Sequence, residues 1–182
     1  MSLRLFAAIA LPDDIAERLI ALKGVPGAKW RPRENLHLTL RFFGEVSEPV
    51  GNDIDEALAT IADETASFEL QLKSAGSFGK EDPHTLWIGA GESAALKKLA
   101  ADCERAARRL GLKAETRKFA PHVTLAYMSG ASELSRVQDF EARLGLFESR
   151  PFEVESFGLY SSWTRKSAPS LYRLEADYAL NG

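Results

Sequence analysis

Two short segments of the chain carry the same pattern of reactive and apolar side chains. The pattern His-x-Thr-Leu begins at His37 and occurs again at His122, 85 positions later, in a chain with only three histidines. An imidazole changes its charge near neutral pH, so it can accept or donate a proton. A threonine hydroxyl can donate a hydrogen bond to an anionic oxygen. The repeat therefore predicts acid–base chemistry on an anionic group.

The anionic group that suits this pattern best is a phosphate undergoing in-line displacement. Side chains two positions apart on a strand share a face, about 6.6 Å apart, so each histidine lies beside its threonine, Thr39 or Thr124. If a pseudo-twofold axis relates the segments, the two pairs face each other across a cleft. One histidine then takes a proton from the nucleophile and the other protonates the leaving oxygen. The threonines bind the non-bridging oxygens, and the scheme needs no metal or other cofactor.

Histidine and threonine also have other roles in proteins. A single histidine on a strand is more often structural than catalytic, and threonine favours strands because it is β-branched. A binuclear metal site would want carboxylates beside the histidines, and neither motif strand contains one. A serine hydrolase would be expected to carry a Gly-x-Ser-x-Gly turn, which this sequence lacks. The occurrence of the motif twice favours the acid–base interpretation.

The composition narrows the class of ligand. The chain has 182 residues, of which 45% are hydrophobic and 27% charged, as in an ordinary globular protein. Its net charge of −3 argues against a protein that coats duplex nucleic acid. Basic side chains nevertheless concentrate near the first motif, at Lys29, Arg31, Arg33 and Arg41. A local positive field in an acidic protein favours a small anionic target over a long polyanion.

The sequence offers neither a disulfide framework nor a membrane segment. Cys103 is the only cysteine, so it cannot form an internal disulfide or a thiolate metal site. No apolar run approaches the roughly 20 residues that span a bilayer. The apolar start of the chain runs directly into a predicted helix, which indicates a first strand rather than a signal peptide. We therefore expect a cytoplasmic protein.

The hydrophobic periodicities predict an α+β fold. Strands are predicted over residues 4–11, 36–44, 67–78, 84–91, 122–128, 151–162 and 170–180, and helices over 13–23, 48–66, 94–110 and 132–145. Each half contains a strand or helix, a motif strand, a helix and two strands, in that order. We therefore predict a pseudo-twofold duplication within one two-lobed domain over residues 1–182. Its two antiparallel-rich sheets would face each other across a central cleft, with the helices outside.

Nearly the whole sequence resembles the two-histidine phosphoesterases, specifically the bacterial and archaeal RNA 2′,3′-cyclic phosphodiesterases, also called LigT-like proteins or 2′-5′ RNA ligases. The specific part is the paired motif, in KWRPRENLHLTLRFFGEV and FAPHVTLA. Supporting patterns are RLFAAIALP, LWIGAG, FGLYSS and LYRLEADYAL. The resemblance implies a bilobal fold and metal-free opening of a terminal 2′,3′-cyclic phosphate to a 2′-phosphomonoester. It also implies an active site of His37, Thr39, His122 and Thr124.

The resemblance further implies a division of roles between the two histidines. His122 would activate water and His37 would protonate the departing 3′-oxygen, although the near-symmetric arrangement does not itself decide between them. The expected substrates are RNA 3′ ends or small 2′,3′-cyclic nucleotides, and the expected state is a monomer. Two other functions stay open: RNA 2′-5′ ligation, in which a 5′-hydroxyl replaces water, and non-catalytic binding of a nucleotide or RNA.

One position departs from the family pattern. Many relatives carry Arg five residues after the second motif histidine, where this chain has Tyr127. On a regular strand this odd separation turns Tyr127 away from the catalytic face, unless a bulge redirects it. Arg41 lies four residues after His37 and would share its face. Arg41 is therefore a candidate for the phosphate-binding cation, and the loop residues Arg165 and Lys166 are the alternatives.

Aromatic residues near these segments are candidates for binding a base. Trp30 and Trp163 could stack on a nucleobase, as aromatic side chains do in single-stranded RNA sites. Packing in the protein is the alternative for each. Tyr127, Arg165 and Lys166 complete the predicted substrate-binding set.

Overall fold

A computed structural model of the chain describes residues 2–79, 81–128 and 134–182. The strands in these ranges are β1 (Ser2–Ala10), β2 (Lys29–Trp30), β3 (His37–Ser47), β4 (Phe68–Leu70), β5 (Leu72–Phe78), β6 (Thr85–Ala90), β7 (His122–Tyr127), β8 (Phe152–Val154), β9 (Ser156–Trp163) and β10 (Leu171–Ala179). The helices are α1 (Asp13–Ile20), α2 (Glu48–Asp63), α3 (Ala94–Arg109) and α4 (Leu134–Leu144), and Arg33–Asn35 form a 3₁₀ turn. The predicted α+β class is confirmed.

The main sheet joins the two halves of the chain. Its strands follow the antiparallel order β10-β9-β1-β3-β7-β6-β5, and β2 pairs with β7 as the eighth strand. Strands β4 and β8 form a separate two-stranded sheet. The two facing sheets that we expected are thus two halves of one sheet. The reason is that the motif strands β3 and β7 run antiparallel and share one residue pair, Leu38 with Val123.

The order of elements repeats along the chain. The series β1, α1, β3, α2, β4, β5 corresponds to the series β6, α3, β7, α4, β8, β9. Equivalent strands also lie at equal distances from the centre of the sheet. The central strands are β3 and β7, followed outward by β1 and β6, and then by β9 and β5. At the centre, the paired residues directly follow His37 and His122, so equivalent motif positions meet. The duplication stays a prediction, which this correspondence supports.

The apolar residues of both motifs belong to the core. Leu38, Leu40, Val123 and Leu125 are each at most 4% exposed. Burying such a side chain stabilises the fold by about 1.5–3 kcal/mol relative to leaving it exposed. These four residues therefore fix which face of each strand is turned inward, and with it the face that carries the histidines and threonines.

Both motif strands contain a bulge at the same place. The pairing of β3 with β1 skips Leu40, and the pairing of β7 with β6 skips Leu125, each the third residue after a motif histidine. An extra residue moves every later side chain to the opposite face. The fifth residues after the histidines, Phe42 and Tyr127, therefore take the same face as the histidines.

Helix α3 packs behind the first motif strand. The Ser93 side chain accepts a hydrogen bond from the Leu96 backbone N–H and caps the first turn. Gly111, with φ of 79°, follows the last turn in the left-handed conformation that favours glycine. Within the described ranges, no helix has the length and apolar character needed to cross a membrane.

Candidate active site

The two motifs line a single cavity of about 320 Å³. The motif residues that line this cavity are the four predicted to act together, His37, Thr39, His122 and Thr124. The rest of the lining is Arg4, Phe6, Arg31, Asn35, Phe42, Tyr127, Ser162, Ser170 and Tyr172. These lining residues include two arginines and no carboxylate. The cavity therefore favours an anionic ligand.

His37 lies among aromatic rings at the base of this site. Its ring centroid is 4.9 Å from that of Phe6 and 5.3 Å from that of Tyr172. Burial lowers the pKa of His37 to about 4, and the positive charge of Arg31 acts in the same direction, whereas a backbone hydrogen bond at Asn35 opposes it. His37 is therefore neutral at pH 7 in the ligand-free protein.

His122 is held by its own strand and by the second half of the sheet. Its Nδ1 lies 2.7 Å from the carbonyl oxygen of Ala120. A carbonyl oxygen only accepts, so Nδ1 carries the proton and Nε2 of the neutral ring is left as an acceptor. Phe78 contacts the ring edge-on at 4.9 Å. Burial lowers the pKa of His122, and the charge of Arg117 adds to this effect, while the Ala120 hydrogen bond opposes it.

The motif threonines are partly buried and face the same cavity. Across the described ranges, neither the Thr39 nor the Thr124 hydroxyl has a hydrogen-bond partner in the protein. The buried Asn35 side chain, by contrast, already has a partner, because its amide donates to the Ser170 carbonyl at 2.9 Å and fixes the cavity wall. The two hydroxyls are thus available to a bound ligand.

Two arginines supply the positive charge of the cavity. The Arg31 guanidinium donates from Nη2 to the Tyr172 hydroxyl at 2.9 Å and lies 5.2 Å from the ring centroid of Tyr127. The Arg4 guanidinium lies 5.1 Å from the ring centroid of Phe42. Arg31 was predicted only as a member of a basic cluster, and Arg4 was not predicted as a site residue. Arg4 lies two residues before the cavity residue Phe6 on β1, the strand beside β3, and this spacing could have indicated its place in the site.

Arg41 does not reach the cavity, and its prediction as a phosphate-binding residue is wrong. Its side chain is 9% exposed, and its Nε lies 2.5 Å from a carboxylate oxygen of Glu104 on α3. Its Nη2 donates to the Lys113 carbonyl at 2.6 Å. The physical cause is the bulge at Leu40, which turns Arg41 to the face opposite His37.

Tyr127 does line the cavity, contrary to the expectation from its odd spacing. Its side chain is 44% exposed. The bulge at Leu125 redirects it, in the same way as the bulge at Leu40 redirects Phe42. The expectation that a regular strand turns Tyr127 away from the catalytic face is therefore wrong, and its place in the substrate-binding set is compatible with the structure.

The other predicted substrate-binding residues lie outside the cavity. Trp30 packs against Phe140, with 6.1 Å between ring centroids. The Trp163 indole N–H donates to the Ser161 hydroxyl, so it lies on the sheet face opposite the cavity-lining Ser162. In the exposed loop that follows, Arg165 donates to the Pro169 carbonyl and Lys166 is exposed. Packing or local hydrogen bonds account for Trp30, Trp163 and Arg165.

The structure offers no alternative metal centre in the part of the chain it describes. No group of three or more His, Cys, Asp or Glu side chains there could hold a metal ion. The only cysteine, Cys103, is buried, and burial raises the pKa of its thiol to about 12. This thiol is therefore protonated and unreactive at neutral pH.

Comparison with known proteins finds relatives that match nearly the whole chain. A protein of Aeropyrum pernix named RNA 2′,3′-cyclic phosphodiesterase is 38% identical over 171 residues, which cover 91% of this chain and 93% of that protein. A protein of the same name from Archaeoglobus fulgidus is 34% identical over 172 residues, which cover 92% of this chain and 95% of that protein.

The fold matches as well. The crystal structure of Escherichia coli LigT complexed with 3′-AMP superposes with a TM-score of 0.81 at 26% sequence identity, and the match covers 100% of both chains. The family model of the 2′-5′ RNA ligase superfamily matches residues 11–164. With the paired motifs meeting in one cavity on this fold, the chain belongs to the 2′-5′ RNA ligase superfamily.

Proposed function

We propose that the protein hydrolyses RNA-terminal 2′,3′-cyclic phosphates to 2′-phosphomonoesters by acid–base catalysis with two histidines. The observation that carries this proposal is the convergence of two imidazoles and two unpaired threonine hydroxyls on one cavity without carboxylates. The names of the relatives support the reaction. The 3′-AMP complex of LigT supports a nucleotide as the ligand.

In this reaction, water attacks phosphorus as the bond from phosphorus to the 3′-oxygen breaks. His122 accepts the proton of water through Nε2, the nitrogen that its bond to Ala120 leaves free. His37 donates a proton to the departing 3′-oxygen. The hydroxyls of Thr39 and Thr124 donate hydrogen bonds to the non-bridging oxygens, where negative charge grows in the transition state.

His37 needs the substrate before it can act as the acid. In the ligand-free protein its pKa of about 4 leaves it neutral at pH 7. A phosphate anion beside the ring favours the charged imidazolium and raises this pKa. Proton uptake by His37 therefore accompanies phosphate binding, and the acid is formed where its proton is needed.

Ligation at the same site is the weaker proposal because it requires a second RNA end next to the first. A second cavity of about 280 Å³ adjoins His37 and Tyr172. Two of its lining residues, Asp13 and Glu34, carry carboxylates that repel RNA phosphates. Its arginine, Arg33, is already paired with acidic side chains of α1. Water at about 55 M therefore has the advantage over a 5′-hydroxyl.

The remaining expectations extend this proposal. We infer that RNA 3′ ends or small 2′,3′-cyclic nucleotides are the partners and that turnover needs no metal. A monomeric state and a cytoplasmic location stay predictions.

Product analysis tests the function directly. The protein is incubated with an oligonucleotide ending in a 2′,3′-cyclic phosphate, with and without EDTA, and the products are identified by ³¹P NMR. We expect a 2′-phosphomonoester in both samples and none with His37→Ala or His122→Ala. A 3′-phosphomonoester, or activity that is lost in EDTA and restored by a divalent ion, would contradict the proposal.

The same assay separates the alternative functions. A binding module would retain the oligonucleotide and leave its cyclic phosphate intact. A ligase would join the oligonucleotide to an added 5′-hydroxyl RNA through a 2′-5′ linkage. The proposal predicts that the added RNA changes neither the product nor its rate of formation.

A further inference from the structure

We propose that Arg31 is the cation that binds the substrate phosphate beside His37, and that Tyr127 and Tyr172 position it. This inference rests on the proposed function only in taking a phosphate as the ligand. It replaces Arg41 and the late loop as the source of the charge.

The contacts of Arg31 fix its guanidinium at the cavity wall. Its centre lies 5.2 Å from the ring centroid of Tyr127 and 5.5 Å from that of Tyr172, and Nη2 donates to the Tyr172 hydroxyl. The backbone N–H of Arg31 donates to the Leu125 carbonyl at 2.8 Å, which fastens this residue to the second motif strand. Arg31 thus touches elements from both halves of the sheet.

Among the described residues, Arg31 shares with Arg4 the absence of an acidic partner, which other arginines near the motifs have. Three others near the motifs are neutralised: Arg33 by Asp13 and Glu17, Arg41 by Glu104, and Arg117 by Glu115. Among the described residues, no carboxylate forms an ion pair with Arg31, and none lines the cavity. Its charge and its remaining N–H donors are therefore available to an anion, and a planar guanidinium can bind two phosphate oxygens at once.

Arg4, the other cavity arginine, is less constrained. It is exposed and makes one ring contact, with Phe42. The charge of Arg31, by contrast, reaches His37, whose pKa it helps to lower. A phosphate that neutralises Arg31 removes this effect, so phosphate binding and proton uptake by His37 are coupled through Arg31.

Binding of inorganic phosphate and of 2′-AMP, measured by isothermal titration calorimetry, tests the assignment without requiring turnover. We expect Arg31→Met to weaken both by about 10- to 100-fold, the range for hydrogen bonds to charged groups. Arg33→Met is the matched control and should bind like the wild type, because Arg33 is paired with Asp13 and Glu17. Arg4→Met should lose less than Arg31→Met.

The positioning role of the tyrosines has its own variants. Tyr127→Leu and Tyr172→Phe, which remove a ring and a hydroxyl respectively, should each weaken phosphate binding by less than Arg31→Met does. Tyr127→Phe keeps the ring and should weaken phosphate binding less than Tyr127→Leu does. If Arg31→Met does not fold, Arg31→Lys gives the test, since it keeps the charge but cannot bind two oxygens from a plane. Its affinity should lie below that of the wild type.

A second readout is the pKa of His37 measured by NMR in the ligand-free protein. Arg31→Met should raise this pKa above the wild-type value, and Arg33→Met should leave it unchanged. Wild-type phosphate affinity together with an unchanged His37 pKa in Arg31→Met would overturn the inference, even if the protein hydrolyses cyclic phosphates. Loss of phosphate binding in Arg31→Met would sustain it, even if the physiological reaction differs.

Discussion

The two motif strands carry the same residues with the same local geometry in different surroundings. In both β3 and β7 the histidine and threonine face the cavity, the leucine is buried, and a bulge follows at the third residue after the histidine. His37 lies between Phe6, Tyr160 and Tyr172, whereas His122 contacts Phe78 and Trp87. The motif thus determines where the histidine lies, and the surroundings determine how readily it takes up a proton.

The residue four places after each histidine shows a second difference. In β3 this residue is Arg41, which pairs with Glu104 across the interface with α3. In β7 it is Ala126, which is fully buried. The equivalent bulges turn both residues away from the cavity. The charge of Arg41 and the methyl group of Ala126 therefore contribute to packing, and their difference does not change the cavity face of the two strands.

The histidine variants should produce the largest effect. We expect His37→Ala and His122→Ala each to lower kcat/KM for a 2′,3′-cyclic nucleotide by at least about 10²-fold, because each removes one proton-transfer group. Circular dichroism should show that both variants remain folded. Near-wild-type turnover in either variant would mean that the two strands do not share one mechanism.

Arg41→Met should affect stability rather than phosphate affinity. It leaves Glu104 without its partner and removes the hydrogen bond to the Lys113 carbonyl. Breaking a largely buried ion pair in this way costs about 3 kcal/mol of unfolding free energy. Urea unfolding measures this loss, and the double variant Arg41→Met/Glu104→Leu should recover part of it. A large rise in the Kd for phosphate with unchanged stability would restore Arg41 to the site.

The stability of the protein should depend on pH through His37. Its pKa is about 4 in the folded protein against an ordinary value of 6.5. Between these values the unfolded chain binds a proton that the folded protein does not, so the free energy of unfolding falls as the pH is lowered from 6.5 to 4. The contribution is about 3 kcal/mol, at about 1.4 kcal/mol for each unit by which the pKa is lowered.

His37→Gln should remove this part of the pH dependence, and His122→Gln should remove a smaller part, since the pKa of His122 is lowered less. Thermal unfolding at a series of pH values provides the comparison. Equal slopes for the wild type and His37→Gln would show that the surroundings of His37 do not disfavour its charge.

The threonine variants should show a smaller and nearly equal effect. Thr39→Val and Thr124→Val keep the shape and remove a hydrogen bond to the phosphate, so each should lower kcat/KM by about 10-fold. Thr85→Val is a suitable control, because Thr85 is buried outside the cavity and bonds to His84. A loss confined to one of the two motif threonines would show that the phosphate is bound by one strand.

Much of the fold follows from local sequence patterns. The alternation in β3 and β7, the periodicity of α2 and α3, and the glycine after α3 all predicted the observed elements to within a few residues. The location of each histidine and its threonine on one face was predictable, because residues two apart on a regular strand share a face. The joining of two sheets into one was not predictable, because it depends on a single long-range pair, Leu38 with Val123.

The prediction was wrong where the strands cease to be regular. The alternation of side chains on a regular strand predicted Arg41 inside the cavity and Tyr127 outside it. One extra residue in each strand reverses both positions. A bulge depends on how the neighbouring strand pairs, and local sequence does not specify this. Arg4 was missed for a related reason, since it enters the cavity from β1, a strand without a catalytic motif.

The pH dependence of kcat/KM for a 2′,3′-cyclic nucleotide tests most directly whether the two unequal histidines act as one acid–base pair. Catalysis requires one charged and one neutral imidazole, so activity should rise through a limb near pH 4 and fall through a second limb below pH 6.5. The two apparent pKa values are properties of the histidine pair, so the same profile is expected whichever histidine is the acid. We predict a bell-shaped profile with its maximum on the acid side of neutrality. A rate that rises without a maximum up to pH 9 would contradict an imidazolium acid and, with it, the two-histidine mechanism.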